Sequence, residues 1–111
     1  MIEQRKFIVN FIVEVRFVKR DNIWLSPTYE QDACYIGVMM YRREPYQEAY
    51  FRACEELFLR YGGRPHWGKI HYLKAKQIEA LYPKYADFAE LRNKLDPERI
   101  FFNDYLRRVF D

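Results

Sequence analysis

The sequence predicts an α+β fold of antiparallel strands packed with helices, on three observations. The segment from Lys6 to Lys19, KFIVNFIVEVRFVK, is free of Gly and Pro and dense in β-branched and aromatic residues, the composition of a strand. A second such run, ACYIGVMMY, spans Ala33 to Tyr41. Beyond Pro45, apolar residues recur at helical spacing through Ala49, Tyr50, Ala53, Cys54, Leu57, Phe58 and Tyr61.

The first strand is expected over residues 6–19. A period of two places Phe11, Val13, Val15 and Phe17 on one face and Asn10, Ile12, Glu14, Arg16 and Val18 on the other. Asp21-Asn22 and Ser26-Pro27 punctuate a turn-rich stretch from Arg20 to Asp32. The second strand then returns antiparallel to the first. Pro45 suits the first turn of a helix and Gly62 suits its C-terminal cap, so an amphipathic helix is expected to pack on the sheet. GGRPHWGK, residues 62–69, is a structured loop. Helices follow near Lys74–Leu81 and Pro83–Lys94, Asp96-Pro97 ends the second, and Asn103 caps a last one. Phe101, Phe102 and Tyr105 read as core. With only two evident strands, a sheet that is marginal in isolation, the chain looks like part of something larger.

At 111 residues, one ordinary core is feasible and a second domain is not. Half the residues are hydrophobic and 19% are aromatic, which excludes disorder, collagen-like repeats and a coiled coil. The net charge of +3 comes from basic residues interspersed with acidic ones, so no nucleic-acid surface is indicated. Cys34 and Cys54 stand 20 positions apart without CxxC spacing, which suggests neither a zinc cluster nor a disulfide framework. No run reaches the roughly 18 apolar residues of a membrane span, and the N-terminus lacks the apolar core of a signal peptide. A cytoplasmic or membrane-associated location is expected.

Glu14 and Arg16, two apart on a strand, project from one face. The plainer account is an exposed ion pair worth at most about 1 kcal/mol. The functional account is a polyol or sugar site, with the carboxylate accepting from hydroxyls and the guanidinium supporting an oxygen that gains negative charge. In GGRPHWGK the glycines bring His66, Trp67 and Lys69 together; the plainer account there is a helix cap and a turn, with Trp67 plugging a small core. His66 and His71 are five apart, a poor spacing for a metal pair.

Three ordered segments, VEVRFVKRDNIWLSP, GGRPHWGK and LDPERIFFNDYLRRVF, resemble the C-terminal portion of the sugar-1,4-lactone oxidases, the family of D-arabinono-1,4-lactone oxidase and L-gulono-1,4-lactone oxidase. The resemblance runs from about Asn10 to Phe110. It implies part of the cap domain of a vanillyl-alcohol-oxidase-type flavoprotein, which covers an FAD held by a separate N-terminal domain. It further implies that Glu14, Arg16 and Lys69 line the substrate site and act in catalysis. Met40 is implied as a substrate-facing position on the second strand, and His66 as a residue near the flavin or supporting the loop.

The implied reaction is oxidation of a secondary alcohol beside a lactone carbonyl with oxygen as acceptor, giving an ascorbate-type product. The implied partners are a sugar lactone and an FAD-binding domain or subunit, with membrane association as in some family members. The 111 residues contain no glycine-rich FAD-binding segment and no flavin-attachment histidine of the kind that domain carries, so the whole chain is expected to be a single C-terminal lactone-oxidase-like region, inactive alone. The competing expectation is a non-catalytic, stand-alone sugar- or protein-binding module derived from the same cap.

Overall fold

The computed structural model describes residues 1–41 and 44–111. They form two strands, β1 (Val13–Val18) and β2 (Ala33–Val38), followed by four helices, α1 (Gln47–Leu59), α2 (Ala75–Leu81), α3 (Tyr85–Leu95) and α4 (Asp104–Phe110). The α+β class and the antiparallel pairing are as the sequence predicts. In the register, Glu14 faces Gly37, Val15 faces Ile36 and Arg16 faces Tyr35. One face of the ribbon therefore carries Glu14, Arg16, Tyr35 and Gly37, and the other carries Val13, Val15, Phe17, Ile36 and Val38.

Both strands are shorter than their apolar runs. Residues 1–7 turn back on themselves, with Arg5 N donating to Met1 O, Phe7 N donating to Ile2 O, and Lys6 at φ 54°. This fold-back lets Met1, Ile2, Phe7 and Val9 pack on a cluster of Met40, Tyr50 and Cys54. Burying those side chains gains more than extending a ribbon that, among the described residues, has no third strand to extend it.

Helix α1 is also placed differently from expectation. Its buried residues, Tyr50, Ala53 and Cys54, meet the N-terminal fold-back together with Val38 and Met40 at the end of β2, so it closes the ribbon's end instead of lying across a sheet face. The helix stops as Gly62 suggests. Gly62 takes φ +68° and Gly63 N donates to Phe58 O. A Cβ on Gly63 would stand 2.8 Å from that carbonyl oxygen, so the GG pair is what lets the chain pass so close to the helix end.

The second core joins α2, α3 and α4 through Leu73, Ile78, Tyr82, Tyr85 and Val109, with Trp67, Leu25 and Phe110 against it. Asn103 Oδ1 accepts from Leu106 N as an N-cap. Tyr85 Oη donates to Val109 O, tying α3 to the end of α4. The expectation that Phe101 is core fails: it is 81% exposed. Asp96 accepts from the Ile100 and Phe101 amides and Arg99 takes φ 57°, a turn that carries both side chains outward.

Candidate functional site

On β1, Glu14 and Arg16 form an ion pair at 2.7 Å, with the two side chains 43% and 69% exposed. The pairing partner of Glu14 is Gly37, where an added Cβ would meet Glu14 Oε2 at 3.4 Å. The missing side chain leaves the flank of the carboxylate open. A planar cation and a carboxylate, both directed to solvent from one strand face, can accept and donate to a hydroxylated ligand at once.

The GGRPHWGK loop is held from several sides. Trp67 Nε1 donates to Leu25 O at 2.7 Å, and the indole lies 5.0 Å from the Tyr82 ring between centroids. Arg64 donates to the carbonyls of Leu81, Pro27 and Tyr29. Trp67 thus does plug a core, as the plainer account of this loop expects. His66 Nδ1 accepts from Gly68 N at 3.0 Å, and Lys69 N donates to His66 O at 3.0 Å. That turn leaves the side chains of His66 and Lys69 exposed.

The sequence-predicted residues therefore fall into separate environments. Glu14 and Arg16 are brought together. Lys69 makes no ion pair with Glu14 among the described residues, and its ammonium projects from a different loop. Met40, expected to face substrate, is 9% exposed and packs with Tyr50 and Cys54. It lies beyond the end of β2, and its even number gives it the parity of Ile36 and Val38 instead of that of Gly37, which faces Glu14.

The stretch from Asp21 to Tyr29, read from sequence as turns, is a built support for this loop. Asp21 Oδ2 accepts from the Ser26 and Thr28 hydroxyls at 2.6 and 2.7 Å, and Oδ1 accepts from Ile23 N. These hydrogen bonds, the Ser26 one foremost, hold the Asp21 carboxyl below its usual range. The closed loop presents the Leu25, Pro27 and Tyr29 carbonyls to Trp67 and Arg64. Asx and hydroxyl turn chemistry was the available signal for it in DNIWLSPT.

Two of the better-formed hollows are shallow and open, one lined by Met1, Ile2, Glu3, Gln4 and Leu57, the other by Phe17 to Lys19 and Asp32 to Cys34. Neither is lined by Glu14, Arg16, His66 or Lys69. These four residues stand on open surface outside both hollows. Among the described residues no group of three or more His, Cys, Asp or Glu side chains is placed to hold a metal, and no helix is long and apolar enough to cross a membrane.

Comparison with known proteins shows the family. The chain is 46% identical over 109 residues to the L-gulono-1,4-lactone dehydrogenase of Mycobacterium tuberculosis, an overlap of 98% of this chain and 25% of that protein. It is 47% identical over 104 residues to an L-gulonolactone oxidase of Scyliorhinus torazame, covering 91% of this chain and 24% of the relative. An alditol oxidase from a Streptomyces species is 35% identical over 98 residues, 88% of this chain and 24% of its own. The chain spans about a quarter of the length of the curated relatives it matches. The family model described as D-arabinono-1,4-lactone oxidase matches residues 1–109, and the chain belongs to that family.

Proposed function

We propose that these residues supply one substrate-facing surface of an FAD-dependent sugar-1,4-lactone oxidoreductase, as part of its cap domain, with the flavin held by polypeptide outside them. The observation that carries the reading is the solvent-open Glu14–Arg16 pair opposite Gly37, in a chain whose relatives are named for oxidising or dehydrogenating sugar lactones. FAD, when bound by the whole enzyme, would accept the hydride.

Glu14 accepts from hydroxyls of the lactone and sets which one is presented. Arg16, always charged, donates to the reacting oxygen and stabilises the alkoxide character it acquires as the hydroxyl proton passes to water, so that the carbon can then give up hydride. Lys69 adds a second cation from the 62–69 loop when the polypeptide that holds the flavin assembles with this surface. His66 supports the turn that carries Lys69 and offers its exposed ring edge toward the covering polypeptide. Met40, packed with Tyr50 and Cys54, supports the end of β2 from within the chain.

The test is to recover the chain from its natural source under native conditions and record mass, co-purifying polypeptide and visible flavin absorption. A larger yellow species that oxidises L-gulono- or D-arabinono-1,4-lactone supports the reading. In that species Arg16→Ala is expected to lower turnover about 10²- to 10³-fold. A colourless species of about the chain's own mass with no lactone activity overturns it.

A further inference from the structure

Beneath the loop that carries Lys69 lies a group that the proposed chemistry does not use. His71 is 4% exposed, and its Nε2 stands 2.9 Å from the Tyr105 hydroxyl. That hydroxyl donates to Trp67 O at 3.0 Å. A phenol has one proton and a carbonyl can only accept, so the proton lies on the Trp67 side. His71 Nε2 must then carry the hydrogen and donate to Tyr105. The assignment leaves Nδ1 as the bare ring nitrogen, and Nδ1 is the buried atom of this ring without a hydrogen-bond partner.

A bare buried nitrogen is unfavourable, and a phenylalanine of similar shape would avoid it. What the imidazole gains over such a ring is a donor aimed at the phenol. Arg108, three residues after Tyr105 and so on the same side of α4, donates from Nη1 to His71 O at 2.7 Å. Helix α4 thereby grips the carbonyl of residue 67 and the carbonyl of residue 71. Lys69 stands midway, with its amide donating to His66 O to close the turn.

We infer that His71 and Tyr105 are positioning residues: His71 orients the Tyr105 hydroxyl, the hydroxyl fixes the Trp67 carbonyl, and the clamped turn fixes the backbone from which Lys69 projects. A cation carried on a fixed turn has only its side-chain freedom left to lose when it meets its ligand. The value of this to a substrate rests on the reading of Lys69 given above. The relay itself does not, and its test uses no activity.

The experiment is ¹⁵N NMR on the full 111-residue chain, with His71 ring nitrogens observed directly and amide hydrogen exchange followed at Gly68, Lys69 and Ile70. The Ile78 amide, bonded to Lys74 O in the helical core, serves as the reference for global opening. Expected is an Nε2–H tautomer of His71 and exchange at Lys69 that quickens about 5-fold relative to Ile78 in Tyr105→Phe and in His71→Phe. His71→Gln, which keeps a side-chain N–H, is expected to restore exchange to within about 2-fold of the parent. An Nδ1–H tautomer, a uniform change at all amides including Ile78, or a His71→Gln chain as loose as His71→Phe would overturn the inference.

Discussion

The ribbon and the helical half of this molecule are built to different standards. In the helical half, Leu73, Ile78, Tyr82 and Val109 are almost fully buried, and the loops on top of them are tied down by Trp67, Arg64, Tyr105 and Arg108. In the ribbon the apolar face is open: Phe17 is 86% exposed, and Val13, Val15 and Ile36 are exposed beside it. The proposed site draws from both, with Glu14 and Arg16 on the ribbon and Lys69 on the anchored loop. The contrast separates two jobs. The helical half anchors the backbone of the Lys69 loop by its own packing, whereas the ribbon carries Glu14 and Arg16 beside an apolar face that the described residues leave exposed.

The sharpest way to break that contrast is to truncate an apolar side chain in each half. Ile78→Ala, at a site with no solvent exposure, is expected to cost about 2–5 kcal/mol in denaturant unfolding. Val15→Ala, on the open strand face, is expected to stay within about 0.5 kcal/mol. Equal costs would mean that the ribbon's apolar face is covered in solution.

A second expectation concerns acid. Burial, aided by Arg108, lowers the His71 pKa to about 4, against about 6.5 in an unfolded chain. Between those values the unfolded state holds one proton more than the folded state, so stability falls as pH drops from 6.5 to 4 and levels off below. The loss attributable to His71 amounts to up to about 3 kcal/mol. Comparing unfolding at pH 7.5 and 4.5 in the parent and in His71→Gln isolates it, since the variant lacks the titrating ring. An identical pH slope in both chains would remove His71 as the cause.

How much of this was legible in the sequence follows from the range of the forces. The three C-terminal helices, the Gly62 cap and the Asn103 cap were readable because caps and helical spacing are local. The strand ends were not. Phe7, Val9 and Met40 have the same apolar character as Val15 and Ile36, and only tertiary packing on Tyr50 distinguishes core from ribbon. Phe101 was misassigned because an Asp96 turn, not its hydrophobicity, decides where it points. The Glu14–Arg16 pair was legible from a period of two. The His71–Tyr105 contact joins residues 34 apart, and no local pattern announces it.

Smaller effects test single joints. Asn103→Ala is expected to cost about 1 kcal/mol by leaving the Leu106 amide without its cap. Because α4 is the element that grips the Lys69 loop, amide exchange at Lys69 is expected to quicken along with that of α4, while the β1–β2 amides stay unchanged. Quickening confined to α4 would show that the loop holds its shape without the helix.

The smallest expected change is the most discriminating for function. Arg16→Ala removes a 2.7 Å ion pair whose partners are both in contact with water, where the Coulomb gain is offset by hydration and by the side-chain freedom lost on pairing. Unfolding of the chain is therefore expected to shift by no more than about 0.5 kcal/mol in either direction. A guanidinium that contributes so little to the fold, paired with a carboxylate whose cross-strand neighbour is Gly37, is free to meet a ligand at small cost to the chain, as the proposed function requires. A stability loss above about 2 kcal/mol would instead show that Arg16 is held in a buried network and serves the ribbon's structure, and the division of labour between the two halves would not stand.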